Sequence, residues 1–324
     1  MPGRLAVFVA FAALAGLLAC TEPPDGGDRT AASTRERLSQ ETATPPFYRV
    51  EPKGGAALLL LGTVHVGPDG GWRLSDEVRD GLRRATGLVL EIDLRAVDDD
   101  AVGSILAATG LLPPQTHLHD VVAPETAQLL EKRDEPLAAL GFPYHARKRF
   151  KPWFLAVSLI ERATAESGYQ AARSVEQALV AELGDRPLIG LEGFRDQLAM
   201  LDDLPPELQD LMLRDTLERL EASVSELESL MLAWATNDEA ALVTATDLGV
   251  EQHPELLPLS HILLRDRNRR WLETFRGWLD DPARQDETLF VGVGAGHLVG
   301  QNDLVGMLRT AGYVVTPIEQ TRAR

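Results

Sequence analysis

From about Phe47 onward, short unbroken apolar runs alternate with longer stretches of helical periodicity. Ala56–Leu61 (AALLLL), Leu88–Ile92 (LVLEI), Leu188–Leu191 (LIGL), Leu289–Val293 (LFVGV) and Tyr313–Ile318 (YVVTPI) each read as a strand. The runs are continuous rather than alternating, which marks strands covered on both faces, as in a parallel sheet. Between them, Leu213, Leu217, Leu220, Val224, Leu227, Met231 and Trp234 recur in steps of four and three and mark one face of a single helix. Pro205-Pro206 just before it suits a helix start. Core packing explains this stripe better than a partner-binding groove. The predicted fold is α/β: a central mixed, mostly parallel sheet flanked by helices, with a helical insertion between Glu192 and Leu289, before the last two strands.

The N-terminal region breaks this pattern. Leu5–Ala19 is an uncharged run after Arg4, too short for a comfortable membrane span and of the right length for a signal peptide. It ends Leu17-Leu18-Ala19-Cys20, which resembles the lipobox of bacterial lipoproteins, so Cys20 is expected to carry a lipid and become the new N-terminus. The plainer alternative is a secretory signal followed by a chance cysteine. Residues 1–20 are therefore assigned to a lipoprotein signal peptide. Residues 21–46, rich in Pro, Gly, Ser, Thr and charge, are assigned to a flexible tether, and 47–324 to the folded domain. The expected location is the cell envelope, anchored on the extracytoplasmic side of a membrane. Thr21 after the cysteine points to the outer membrane if the cell is Gram-negative.

Composition narrows the chemistry. The chain has 324 residues, 44% hydrophobic, and a formal net charge of −17. That charge excludes nucleic acid as the main partner, because phosphate binding needs a basic surface. A single cysteine excludes an intrachain disulfide framework and any multi-cysteine metal site.

Four of the predicted strands finish beside a residue that can bind a metal or move a proton. The first runs into Gly62-Thr63-Val64-His65. The second carries Glu91, the third ends at Glu192, and the fourth runs into Gly294-Ala295-Gly296-His297. Ligands of open α/β sheets bind at the carboxyl ends of strands. Two histidines and two glutamates far apart in sequence are thereby expected to share one site. Imidazole and carboxylate suit manganese, cobalt or zinc. A structural, hydrogen-bonded role is the alternative for each residue taken alone.

The pairing of Gly62-Thr63-Val64-His65 with Val293-Gly294-Ala295-Gly296-His297-Leu298-Val299-Gly300 resembles the TraB/PrgY/GumN family, which is related to the Tiki metalloproteases that cleave Wnt proteins. Lys151-Pro152-Trp153, Pro187–Glu192 with Gln197, and Arg267-Asn268 fit further motifs of that family in the same order. The resemblance spans about residues 47–318. It implies a fold shared with erythromycin-esterase and ChaN-like proteins, and a divalent-metal-dependent hydrolase. It also implies that His65, Glu91 and His297 are catalytic or metal-binding. Glu176, in Ser174-Val175-Glu176-Gln177, stands where many members carry aspartate.

Arg267 lies on an otherwise apolar stripe with Leu264, Trp271, Phe275 and Trp278, so it is expected to pair with Glu91 or Glu192, supported by Asn268. Snorkelling at a helix end is the alternative. Trp153 is expected to pack inward from a helix that starts at Pro152. His117-Leu118-His119 reads as a loop pair, and His145–Lys151 (HARKRFK) as a solvated basic face. No GxSxG, HExxH or P-loop occurs, and the glycines before His297 fail the dinucleotide spacing.

The sequence therefore predicts a lipid-anchored hydrolase acting on peptides. His65 and His297 would bind a divalent ion with Glu91 or Glu192, and the remaining glutamate would act as general base. Arg267 would orient a carboxylate or stabilise an oxyanion. A non-enzymatic protein that sequesters a peptide signal, and a haem-binding lipoprotein, are the competing expectations.

Overall fold

A computed structural model describes residues 29–97, 99–246 and 254–321. Cys20 and the whole signal peptide lie outside the described residues. The six-stranded sheet has the order β6-β5-β7-β3-β2-β8. Its strands are β2 (Phe47–Val50), β3 (Ala57–Thr63), β5 (Gly87–Ile92), β6 (Leu188–Glu192), β7 (Thr288–Gly294) and β8 (Val315–Pro317). The pairs β3/β7, β5/β7 and β5/β6 are parallel, whereas β2 runs antiparallel to both β3 and β8. A separate two-residue parallel pair joins β1 (Thr42–Ala43) to β4 (Arg73–Leu74). The mixed, mostly parallel sheet is the predicted one.

The apolar runs behave as their continuity requires. Leu58 and Leu60 of β3 pack into one core with Val89, Val291, Trp271 and Phe275. Leu59 and Leu61 pack into the other with Leu88, Leu90 and Phe290. Each fully buried leucine contributes about 1.5–3 kcal/mol by leaving water. The alternation decides where the site forms. Glu91 points to the same side of β5 as Val89, where the helix Asp266–Leu279 lies. Leu90 points to the opposite side, toward the core that contains Leu179 of the helix Val175–Leu183.

Several expectations change. The stretch 21–46 is not tether throughout, because Arg29–Gln40 forms a helix whose Leu38 is buried. Thr44 then bonds the carbonyl of Ala235 at 2.9 Å. The single helix expected through Leu213 and Trp234 is two, Pro206–Arg219 and Ser223–Thr236, and the chain turns between them around Leu220–Ala222. Ser223 Oγ donates to the Leu220 carbonyl and satisfies part of the first helix end at that break. Arg147 leaves the predicted solvated face. It is 1% exposed and donates to the Phe142 carbonyl at 2.8 Å and to Asp134 Oδ1 at 2.6 Å. Phe47–Val50 is a strand that its short, partly polar sequence did not announce.

The long insertion between β6 and β7 is helical, as expected. Pro152 opens the helix Pro152–Glu166, and buried Trp153 donates through Nε1 to Asp202, which also holds Lys151. Among the described residues, no helix is long and apolar enough to cross a membrane.

Candidate functional site

The four strand ends meet because β7 lies between β3 and β5, with β6 beyond β5. The register sets Thr63 beside Gly294 and Ile92 beside Glu192. His65 follows β3 by two residues, and His297 closes the short turn Ala295–His297 after β7. The loop carrying His65 is fastened to the next wall of the site. Gly67 and Gln170 exchange backbone bonds at 2.9 and 3.0 Å, and Val175 N–H bonds the Val64 carbonyl. A side chain at Gly67 would run into the Arg173 carbonyl, so only glycine permits this approach. Ser174 caps the helix Val175–Leu183 by accepting from Gln177 N–H, which places Glu176 in its first turn beside His65.

His65 Nε2 and His297 Nε2 lie 3.8 and 3.7 Å from the same atom, Glu91 Oε1. The remaining ring nitrogen of each is held from behind. His65 Nδ1 stands 2.5 Å from Glu176 Oε1, a close ion pair rather than a well-angled hydrogen bond. His297 Nδ1 lies 2.6 Å from Asn268 Oδ1, and Asn268 Nδ2 donates to the Asn302 carbonyl at 3.0 Å. That anchor presents the amide oxygen to the ring, so His297 carries its proton on Nδ1 and aims a lone pair from Nε2. Gly294 donates its N–H to Glu91 Oε1 at 2.8 Å. A Cβ on Gly294 would sit 3.2 Å from Glu91 Oε1 and 3.3 Å from His65 Nε2. The missing side chain leaves the cradle between those groups open.

Arg267 occupies the opposite side of Glu91. Its Nη2 donates to Glu91 Oε2 at 2.5 Å and its Nε to Glu192 Oε2 at 3.1 Å. Nη1 donates to the Leu263 carbonyl at 3.2 Å and faces His297 Nε2 at 3.1 Å. The predicted inward charge and its two carboxylate partners are therefore present, with Arg267 only 3% exposed. Every guanidinium nitrogen is engaged, so the residue is built as a clamp rather than as a free donor for substrate. Just before it, His261–Arg265 is a π-helical turn in which Asp266 N–H reaches the His261 carbonyl. Trp271, one helical turn on, lies under both groups, with ring centroids 4.4 Å from His297 and 4.6 Å from the Arg267 guanidinium. Its place in the apolar stripe was visible in the sequence, but its role as a platform was not.

Glu192 stands further from the histidines than expected. Among the described residues its ion pairs are to Arg267 and to exposed Arg270, and Gln197 Nε2 bridges it to Glu91 at 3.4 and 3.5 Å. His117 and His119 stay outside the cluster. His117 N–H bonds Asp120 at the start of the short helix Leu118–Val121, and the His119 ring packs edge-on against Tyr144.

The charges follow from these contacts. Burial works to raise the Glu91 pKa, but Arg267, both imidazoles and the Gly294 N–H hold it well below the ordinary carboxylate range. Burial works to lower that of His65, but Glu176 and Glu91 outweigh it and push it up to about 9. Burial and the Arg267 charge together press His297 down to about 3, so it stays neutral. Burial would raise Glu176, and His65 with Thr63 keeps it low. Two carboxylates thus face the Arg267 guanidinium, and the proton on His65 balances the third, Glu176.

The donor set suits a divalent cation. Two imidazole Nε2 atoms and one carboxylate oxygen face a common space, each ring nitrogen behind them is pinned, and further positions stay open, as in catalytic metal sites. The fit is open rather than closed. Tetrahedral ligands about 2.0–2.2 Å from an ion stand about 3.3–3.6 Å apart, whereas the two spacings here are 3.7 and 3.8 Å. Among the described residues, no group of three or more His, Cys, Asp or Glu side chains already surrounds a metal position. Loading would displace the proton from His65 Nε2, draw the ligands inward by a few tenths of an ångström and turn Arg267 Nη1 away from His297.

Comparison with known proteins agrees with the motifs. The chain is 25% identical over 307 residues to an uncharacterized protein of Treponema pallidum (strain Nichols), covering 90% of this chain and 86% of that protein. It is also 25% identical over 272 residues to the uncharacterized protein YbaP of Escherichia coli (strain K12), covering 82% of this chain and 93% of YbaP. No solved structure matches significantly. The TraB/PrgY/gumN family matches residues 46–317, which contain the whole sheet and every residue of the cluster, and the chain belongs to that family.

Proposed function

We propose that this protein is a divalent-metal-dependent hydrolase of peptides, exported and held at the cell envelope by a lipid on Cys20. The observation that carries the hydrolase reading is the shared approach of His65 Nε2 and His297 Nε2 to Glu91 Oε1. These three residues would hold the ion. Bound there, manganese, cobalt or zinc supplies a Lewis acid that polarises a peptide carbonyl and favours ionisation of water. Asn268 fixes the tautomer of His297, and Arg267 holds the Glu91 carboxylate in place through its second oxygen. Glu192, committed to two arginines, secures that clamp instead of taking a proton. Glu176 sits behind His65, on Nδ1 and away from the ion-facing Nε2. It would keep the remaining proton of that ring on Nδ1 and so leave Nε2 to the ion.

One contact favours a second reading. Arg267 Nη1 already faces the lone pair of His297 Nε2 at 3.1 Å, so the cluster is internally compensated without a metal. A protein that captures peptides without cleaving them would be built this way.

Cleavage of a peptide library with added Mn2+, Co2+ or Zn2+, with and without chelator, separates the two readings. Chelator-sensitive cleavage lost in Glu91→Gln supports the hydrolase, and no cleavage with any of the three metals overturns it. For the anchor, Cys20→Ser should leave the membrane fraction. A variant that stays membrane-bound would contradict the lipid attachment.

A further inference from the structure

Beside the cluster, on the face of Glu91 away from Arg267, a small pocket opens to solvent. His65, Glu91 and Glu176 supply its charged groups, and the rest of the lining is apolar, amide or, at Ser174, hydroxyl, with Ile92, Leu94 and Ala171 among the apolar part.

Three features define what it takes. First, its charged wall is internally paired, Glu91 with Arg267 and Glu176 with His65, so a charged occupant finds no counter-charge. Second, Leu90, Ile92, Ala171 and half-buried Leu94 stand in the lining and make that part of it apolar. Third, Gln177 stands half-buried in the lining, and among the described residues its carboxamide makes no hydrogen bond. A free carboxamide offers one donor and one acceptor side, the complement of a peptide group.

We infer that this pocket seats an aliphatic side chain of a peptide, with the Gln177 carboxamide holding the backbone amide of the same residue. Leu94 and Ala171 then set the size and polarity of the side chain accepted. The occupant's backbone is brought beside Glu91 and His65, so on the hydrolase reading, on which this inference rests for its purpose, the pocket chooses which peptide bond is presented.

The test is binding of blocked pentapeptides, acetyl-Gly-Gly-Xaa-Gly-Gly-amide with Xaa as Gly, Val, Leu, Asp or Lys, to the full-length protein, followed by ligand-observed NMR. Burying an aliphatic side chain predicts that the Val and Leu peptides bind about ten- to a hundredfold more tightly than the Gly peptide. The Asp and Lys peptides should bind no better than the Gly peptide. Ala171→Phe fills the pocket and should erase the preference. Leu94→Asn on the rim, which tests the same point without crowding the interior, should weaken it. Gln177→Ala should weaken all five peptides by a similar factor. Equal binding of the five, a preference for Asp or Lys, no binding at all, or a preference that survives both pocket variants would overturn the inference. Cleavage of the same peptides with added Mn2+ separates the two ideas. Aliphatic preference in binding without cleavage keeps the pocket and counts against the hydrolase. Cleavage indifferent to Xaa keeps the hydrolase and overturns the pocket.

Discussion

The Arg267 guanidinium faces His297 Nε2 at 3.1 Å while its Nη2 holds Glu91 Oε2 at 2.5 Å, so one buried cation governs both a neutral imidazole and the carboxylate it shares. Removing that cation should be felt first in the fold. Arg267→Ala leaves buried Glu91 without its guanidinium and Glu192 with only exposed Arg270, at a cost of about 3–5 kcal/mol. For a domain of this size the melting temperature should fall by roughly 10 °C. Thermal denaturation checks this, and an unchanged midpoint would show that Arg267 is not the clamp described.

Asn268 tests whether tautomer control matters. Asn268→Ala removes the acceptor for His297 Nδ1–H and should weaken Mn2+ binding by about 10- to 100-fold. Asn268→Asp keeps an acceptor and should retain most of the affinity. Titration calorimetry with Mn2+ reads both. Equal loss in the two variants would mean that packing, and not the proton position, is what Asn268 provides.

These side chains were legible in the sequence because strand ends are legible. Unbroken runs such as AALLLL and LFVGV announce strands covered on both faces, and in a parallel sheet their ends fall on one edge. His65, Glu91, Glu192 and His297 could thus be grouped before any coordinates. Less visible was how Glu192 divides from the others. It turns to Arg267 and Arg270 because β6 is the edge strand beyond β5, two strands from β7. The π-helical turn His261–Arg265 before Arg267 was not read from the sequence, because a single turn of altered bonding is too short to set up a periodicity of its own. The helix Arg29–Gln40 was missed because its apolar content is little more than Leu38 and two alanines, which packing against the helix Ser223–Thr236 rescues.

Away from the cluster, Glu161 gives a pH test with a definite sign. Burial outweighs neighbouring Arg162 and pushes its carboxyl up to about 7 from an ordinary 4.5. Below 4.5 it is protonated in both the folded and unfolded chain and costs nothing. Between 4.5 and 7 the unfolded chain releases the proton while the folded one retains it, so stability falls as pH rises. Glu161→Gln should therefore leave stability unchanged at pH 4 and raise it by about 2–3 kcal/mol at pH 8. Urea unfolding at the two pH values checks this. A gain of equal size at pH 4 would locate the effect in packing and contradict the assignment.

The central claim is that His65, Glu91 and His297 form one cation-binding centre. Its most direct measurement is metal content per chain, by elemental analysis, after equilibration with Mn2+, Co2+ or Zn2+ and removal of free ion. The variant for comparison is Gly294→Ala, whose new Cβ would lie 3.2 Å from Glu91 Oε1 and 3.3 Å from His65 Nε2. Its folding is verified by circular dichroism. The account predicts about one ion per wild-type chain and a large loss of that ion in folded Gly294→Ala. A wild-type protein that retains none of the three metals, or a folded variant that retains as much as wild type, would contradict it.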